Sequence, residues 1–260
     1  SSMLNLAELL ALRPDLQSCQ KTIYFHENQF EYPVREEIER DGQFGWSQVL
    51  SALASDIIFW NSNYNLQSFL AGFKKFSMTM PKEQRPNIDA ITDAIKQKSH
   101  ITYFPVDPIS IAYEPSPEAT NTTRPIHIIW NHRWEWDKGP EALFKVLYKV
   151  AGIDTSEPEA ATTTNSSTDE SSPKLPNFYI SVVGESFGEV PPEFQQAQKL
   201  LAPYIKYWGY LESKEAYFRA LKEADIVVST AQHEFFGVSV IEAIHCDCYP
   251  LCPQRLVFPE

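Results

Sequence analysis

The sequence predicts an α/β protein made of two successive domains, each built on a parallel sheet. Three observations support this prediction. Short apolar runs alternate with amphipathic stretches over the first hundred or so residues, a proline-rich segment then interrupts the pattern, and the same alternation resumes after it. Strands that alternate with helices are typical of parallel sheets joined by crossover helices.

The first alternation predicts three strands and the helices between them. Short apolar runs predict strands at 21–26, 57–61 and 101–105. Apolar residues at helical spacing predict helices at 3–12, 43–55, 65–73 and 87–98. These elements make up a first, Rossmann-like domain over residues 1–115.

The second alternation predicts a further Rossmann-like domain over residues 125–260. Its predicted strands are at 127–131, 177–184, 205–210, 225–230 and 248–253. Its predicted helices are at 139–150, 191–202, 213–223 and 237–246. Prolines and polar spacers between the two alternations predict a linker at 116–124. An acidic, Ser- and Thr-rich stretch at 154–174 predicts a disordered insertion, because it cannot bury a core.

Composition excludes several classes of protein. The 260 residues are 43% hydrophobic and 22% charged, as in a soluble globular protein, and no run reaches the roughly 18 apolar residues of a membrane span. The formal net charge of -12 is unlike that of a general nucleic-acid binder, so an RNA partner would need a local basic patch such as that around Lys74 and Lys75. The four cysteines have no zinc spacing, which favours reduced thiols in the cytoplasm or the nucleus.

Four loops follow predicted strands and are the places to look for a ligand site. In open parallel sheets, ligands bind beyond the carboxyl ends of the strands. The loops are 26–33, 131–139, 184–190 and 230–237. Two such domains predict a cleft with these loops around it.

The segment 234–242, EFFGVSVIE, carries two glutamates eight positions apart. Glu234 lies in the loop after a strand, and Glu242 lies about two turns inside the next helix. Gly237, where that helix begins, allows a close backbone approach, and free N–H groups at a helix start favour a diphosphate. Glu234 would then meet sugar hydroxyls and Glu242 a ribose diol. The alternative is two solvated glutamates on an ordinary amphipathic helix.

The segment 131–139, NHRWEWDKG, places two cations in one loop after a strand. Arg133 and Lys138 can neutralise a diphosphate leaving group, Arg133 with a bidentate fork and Lys138 as a point charge. The alternative is an ordinary basic loop with tryptophans packed for structure. His26 ends the first strand and can bond a sugar hydroxyl or move a proton, although a lone histidine is more often structural. Gly184 is a further position where backbone can approach a ligand.

These motifs resemble those of family 4 glycosyltransferases, which have the GT-B fold and retain the anomeric configuration. The closer resemblance is to members of that family that mannosylate queuosine in tRNA. It is carried by the segments NLAELLALRPDL, YFHENQFEYPV, WNHRWEWDKGPE, WGYLESKEAYF, ADIVVSTAQHEFFGVSVIEA and CYPLCPQRLVFPE. The family's glycine-rich first strand would precede residue 1 and a further segment would follow residue 260, so we expect a chain truncated at both ends.

The resemblance implies a reaction and a set of residues. The reaction transfers mannose from GDP-mannose to queuosine at the wobble position of a tRNA for aspartate, with no cofactor and no metal ion. No metal-ligand spacing and no Asp-x-Asp occurs in the sequence. The implied catalytic residues are Arg133, Lys138, Glu234 and His26. The implied donor-binding residues are Arg133, Lys138, Gly184, Glu234, Phe235, Phe236, Gly237, Val238 and Glu242.

Two other functions stay open on the sequence. A chain without its termini can be a module that binds a nucleotide sugar or tRNA without catalysis. A family 4 transferase can also act on a glycan or a lipid, although no basic amphipathic helix for a membrane surface is evident.

Overall fold

The structure is a computed structural model that describes residues 4–34, 41–107, 124–154, 178–186, 188 and 190–260. The chain divides into two compact units. The first unit comprises Ser1–Pro105, His233–Gly237 and Gln254–Glu260, and the second comprises Val106–Gln232 and Val238–Pro253. Two short segments from the second half of the chain therefore belong to the first unit, which a single boundary at 116–124 does not anticipate. Residues 116–123 of the predicted linker and residues 155–174 of the predicted insertion lie outside the described residues, so the domain boundaries stay a prediction.

The first unit contains a parallel sheet with strand order β1-β2-β3. Its strands are β1 (Thr22–Phe25), β2 (Ile57–Trp60) and β3 (Ser99–Ile101). Its helices are α1 (Leu6–Leu12), α2 (Gly42–Ala54), α3 (Asn63–Thr79) and α4 (Ile88–Gln97), with short 3₁₀ turns at Pro14–Ser18 and Lys82–Gln84. Side-chain oxygens of Asn5, Ser62 and Asn87 accept backbone N–H groups at the starts of α1, α3 and α4, as N-caps do.

Aromatic side chains form the core of the first unit. Phe25 and Trp60 stack with ring centroids 4.4 Å apart, and Phe69 of α3 packs against both rings. All three side chains are fully buried. Because Phe25 and Trp60 end neighbouring strands, this core fixes where the loops after β1 and β2 begin.

Two predicted elements of the first unit differ from the structure. Helix α3 continues to Thr79 rather than ending at residue 73. After Lys74 and Lys75, Phe76 packs on the core and Ser77 is fully buried, so the helix has a further buried turn. The strand predicted at 101–105 is β3 at Ser99–Ile101. Its pairing with β2 ends where Ile101 lies opposite Trp60, the last residue of β2.

The second unit contains a five-stranded parallel sheet with order β6-β5-β4-β7-β8. Its strands are β4 (Ile126–Trp130), β5 (Phe178–Val183), β6 (Ile205–Gly209), β7 (Ile226–Val228) and β8 (Tyr249–Leu251). Its helices are α5 (Pro140–Ala151), α6 (Pro192–Leu200), α7 (Lys214–Lys222) and α8 (Val238–His245), with 3₁₀ turns at Trp136–Lys138 and Ala202–Tyr204. The strand order reverses at β4, so the crevice beyond β4 and β7 is where such sheets bind ligands.

The core of the second unit positions the loops at that edge. Trp134, in the loop after β4, stacks on the buried Phe194 of α6 with centroids 4.3 Å apart. Phe144 of α5 meets the same ring edge-on at 5.2 Å. The loop after β4 is thereby held against the core. Within the described ranges, no helix combines the length and apolar character needed to cross a membrane.

Candidate functional site

The second unit has a cavity of about 270 Å³ at the carboxyl edge of its sheet. The loops after β4, β5 and β6 and the start of α7 form its wall. The lining residues are Asn131, His132, Arg133, Val183, Gly184, Glu185, Tyr210, Leu211, Ser213, Lys214 and Tyr217. Two residues predicted to bind the donor, Arg133 and Gly184, therefore share one cavity.

A third predicted residue, Glu242 of α8, joins this cavity through hydrogen bonds. The Tyr217 hydroxyl donates to Glu242 Oε2 at 2.9 Å, and Asn131 Nδ2 donates to the Tyr217 oxygen at 3.0 Å. Asn131 Nδ2 also donates to the carbonyl of Ser239 at 2.7 Å, which ties β4 to the first turn of α8. Burial and the neighbouring Glu242 carboxylate raise the pKa of Tyr217 well above its ordinary value near 10. The phenol therefore stays protonated and donates to Glu242.

Arg133 offers a partly free positive charge at the cavity. Its side chain is 50% exposed, and its Nη2 lies 3.3 Å from Glu135 Oε2. A pair this exposed contributes little to stability, so the guanidinium can exchange Glu135 for an anionic ligand at small cost.

Lys138 has a different environment from the one that the sequence suggested. Its side chain is only 9% exposed, and its Nζ lies 3.4 Å from Oδ2 of the buried Asp137. It is not among the residues that line the cavity. Its backbone carbonyl accepts the Thr230 hydroxyl at 2.7 Å, and Gln232 N donates to the Asp137 carbonyl at 2.7 Å. The loops after β4 and β7 are thus bound to each other.

Gly184 is required by the packing of two loops. A Cβ at this position would lie 1.9 Å from the carbonyl oxygen of His132, a distance that no side chain allows. Trp134 N donates to the Glu185 carbonyl at 2.9 Å, which joins the same two loops. The loop after β5 therefore reaches the cavity through a backbone approach that only glycine permits.

The turn at Glu234 belongs to the first unit. Glu234 Oε1 accepts the backbone N–H groups of Phe235, Phe236 and Gly237 at 3.1, 3.3 and 3.0 Å. Gly237 has φ of 84°, and α8 begins at the next residue, Val238. The N–H groups expected to meet a diphosphate are thus bound here by a carboxylate oxygen, and backbone nests of this kind bind anions.

His26 also lies in the first unit, in contact with aromatic rings. It is exposed, and its ring centroid lies 4.7 Å from that of Tyr24 and 5.9 Å from that of Phe104. Phe104 in turn meets Phe236 edge-on at 6.2 Å. The first unit therefore connects His26 with the turn that follows Glu234, whereas Arg133, Gly184 and Glu242 belong to the second unit.

The sequence interpretation missed the loop after β6. Tyr210, Ser213 and Lys214 line the cavity, and Tyr217 holds Glu242, yet none of them was assigned a role. The signal was present, because residues 205–210 were predicted as a strand of the same parallel sheet. The loop at its carboxyl end lies at the same edge of the sheet as the loops after β4 and β5.

Within the described part of the chain, no cluster of three or more His, Cys, Asp or Glu side chains is placed to hold a metal ion. The cysteines of that part are free thiols, and burial raises the pKa of Cys248 to about 12.

Comparisons with known proteins agree with this architecture. Residues 1–106 match the family model described as tRNA-queuosine alpha-mannosyltransferase N-terminal. The whole chain aligns with the tRNA-queuosine alpha-mannosyltransferase of Drosophila melanogaster at 40% identity over 265 residues. The chain is thus similar to tRNA-queuosine alpha-mannosyltransferases along its whole length. It spans 64% of the length of that relative.

Solved structures of similar fold are GT-B glycosyltransferases. A structure of Anabaena HepE in complex with UDP and glucose matches with a TM-score of 0.55 and 13% identity, over 90% of this chain and 52% of that one. An E. coli trehalose-6-phosphate structure bound with UDP-2-fluoro glucose matches with a TM-score of 0.62 and 10% identity, over 96% and 56%. The predicted GT-B type of α/β fold is confirmed, and the chain corresponds to about half of each of these structures.

Proposed function

We propose that the protein is a retaining glycosyltransferase that moves mannose from GDP-mannose to queuosine at the wobble position of a tRNA for aspartate. The observation that carries this proposal is the 40% identity to the Drosophila tRNA-queuosine alpha-mannosyltransferase along the whole of this chain. The similarity to that enzyme supports a nucleotide sugar as the donor and a queuosine-bearing tRNA as the acceptor. That the donor is GDP-mannose rests on the sequence resemblance.

The cavity of the second unit is the proposed site of the donor nucleotide. It lies at the carboxyl edge of a parallel sheet, beside the strand where the order reverses, and it has hydrogen-bonding groups from three loops. Glu242 is proposed to accept the ribose hydroxyls, since its carboxylate is held next to the cavity by Tyr217. Gly184 keeps the loop after β5 close enough to contact the nucleotide.

Charge stabilisation is the proposed source of catalysis. When the glycosidic bond of the donor breaks, the departing diphosphate gains negative charge, and a nearby cation lowers the barrier. Arg133 supports this role because its side chain is half exposed and lines the cavity. For Lys138, the buried ion pair with Asp137 supports a role in holding the loop in addition to the proposed diphosphate contact. The acceptor hydroxyl attacks from the face that the diphosphate leaves, and the diphosphate takes its proton.

Glu234, Phe235, Phe236, Gly237 and Val238 are proposed to bind the hexose and its phosphate. Support comes from the three N–H groups that converge on one oxygen of Glu234, because a sugar hydroxyl or phosphate oxygen can replace that oxygen. The exposed His26 is proposed as a contact near the hexose.

The decisive experiment is a transfer assay. The purified protein is incubated with GDP-mannose and tRNA for aspartate that carries queuosine, and the nucleosides are analysed by mass spectrometry. We expect the mass of queuosine to rise by one hexose residue. Controls use the same tRNA with guanine in place of queuosine, and UDP-glucose in place of GDP-mannose.

Other outcomes of the assay separate the remaining functions. Hexose transfer to a glycan or lipid acceptor, with none to tRNA, would contradict the proposed acceptor. Binding of GDP-mannose or tRNA with no transfer to any acceptor would indicate a binding module instead.

Substitution of Arg133 tests the charge argument. We expect Arg133→Ala to lower kcat by about 100-fold, the effect typical of losing one group that stabilises developing charge. Arg219→Ala is a matched control, because Arg219 is an exposed arginine of α7 in the same unit that does not line the cavity. Equal rates for Arg133→Ala and Arg219→Ala would refute the role of Arg133.

A further inference from the structure

Tyr217 connects the cavity to Glu242, although the sequence analysis gives it no role. It lines the cavity, and its hydroxyl donates to Glu242 Oε2 at 2.9 Å. Within the described part of the chain, Oε2 is the carboxylate oxygen of Glu242 that this structure shows in a hydrogen bond, which leaves Oε1 available to a ligand. A glutamate side chain has several rotatable bonds, so a fixed donor on one oxygen also restricts the direction of the other.

Asn131 holds this pair in place from the end of β4. Its Nδ2 donates both to the Tyr217 oxygen and to the Ser239 carbonyl, at 3.0 and 2.7 Å. One amide thus connects the sheet, helix α7 and the first turn of α8. Asn131 is 5% exposed, and its Oδ1 is buried without a hydrogen-bond partner in this structure. A buried acceptor without a donor is unfavourable, so a ligand hydroxyl or N–H group in the cavity would stabilise it.

We propose that Tyr217 is a positioning residue which, held by Asn131, orients the Glu242 carboxylate toward the ribose hydroxyls of the donor nucleotide. This inference rests on the proposed function, since it requires a nucleotide in the cavity of the second unit. The ribose contact exists both before and during the reaction. Its loss therefore weakens binding and leaves the chemical step unchanged.

The test measures nucleotide affinity with and without the ribose hydroxyls. The wild type and Tyr217→Phe are titrated with GDP and with 2′,3′-dideoxy-GDP by calorimetry. We expect Tyr217→Phe to raise the Kd for GDP by about tenfold, the typical effect of losing a hydrogen bond to a charged group. The Kd for dideoxy-GDP should be equal in the two proteins. In the transfer assay, KM for GDP-mannose should rise by a similar factor while kcat changes by less than about twofold.

A matched control separates orientation from general stability. Tyr207 also donates to a glutamate, Glu223, at 2.9 Å in the second unit, but it does not line the cavity. Tyr207→Phe should therefore leave both dissociation constants unchanged. In a Glu242→Ala background, Tyr217→Phe should have no further effect on GDP binding, because the group that it orients is gone.

The outcomes distinguish this inference from the proposed function. If the wild type binds GDP and transfers mannose, but Tyr217→Phe binds GDP as tightly as the wild type, the positioning role is overturned and the function stands. Equal weakening of GDP and dideoxy-GDP binding would also overturn it, since the effect would not involve the ribose hydroxyls. A wild type that binds no GDP would overturn both.

Discussion

His127 of β4 is expected to make the second unit sensitive to mild acid. It is 1% exposed, its Nδ1 lies 2.9 Å from the Glu223 carbonyl, and its Nε2 lies 2.7 Å from the Ser181 hydroxyl. A carbonyl only accepts, so Nδ1 carries the proton and Nε2 accepts from Ser181. The neutral ring is therefore fully satisfied, and a second proton would bury a charge.

The pKa of His127 is lowered from 6.5 to about 4, mainly by burial. The positive charge of Lys206 contributes a smaller part of this lowering. The Glu223 carbonyl and the carboxylates of Glu223 and Asp225 oppose this shift. Between pH 6.5 and 4 the unfolded chain binds more protons than the folded one, so stability falls as pH falls through this window. The free energy of unfolding falls by about 2 kcal/mol between pH 7 and pH 5. This figure follows because a difference of one bound proton between the two states changes stability by about 1.36 kcal/mol per pH unit.

Hydrogen–deuterium exchange of β4 and β5 measures this loss in the second unit alone. The wild type is compared at pH 7 and pH 5 with His127→Gln, whose amide can donate and accept but does not titrate. The variant should be less stable at pH 7, yet its stability should fall by about 2 kcal/mol less than that of the wild type on acidification. His100→Gln, at an exposed position of β3, should retain the wild-type pH dependence. Equal pH dependence of His127→Gln and the wild type would refute the reasoning.

Two further substitutions test the packing that surrounds the proposed site. Gly184→Ala should lower the free energy of unfolding by about 3 kcal/mol and abolish nucleotide binding, because the added Cβ would overlap the His132 carbonyl. Thermal unfolding measures the loss of stability, and calorimetry measures nucleotide binding. A variant with the Tm of the wild type would contradict this prediction. Ser62→Ala should cost about 1–2 kcal/mol, since the Ser62 hydroxyl caps α3 and donates to the Phe235 carbonyl at 2.7 Å. Chemical unfolding measures that loss. Asn87→Ala is the comparison, because Asn87 caps α4 without contacting the turn at Phe235.

Much of the fold follows from local pattern. The strands and helices of the second unit begin and end within a few residues of their predicted positions, because apolar periodicity and N-caps such as Ser213 act over a few residues. The loops after β1, β4 and β5 were found in the same way, since a loop after a parallel strand lies at a known edge of the sheet. Local pattern was less reliable where packing decides, as in α3, which continues past residue 73 because Phe76 and Ser77 face the core.

The sequence by itself determined the alternation of strands and helices, the α/β class, the loops in which Arg133 and Gly184 lie, and the helix that carries Glu242. Only the tertiary structure decided what those residues contact. Tyr217 meets Glu242 across 25 residues and Asn131 across 86, and Lys138 is buried beside Asp137 against the loop after β7. Periodicity encodes which face of an element is apolar, but hydrogen bonds between separate loops depend on how the sheet brings the ends of its strands together.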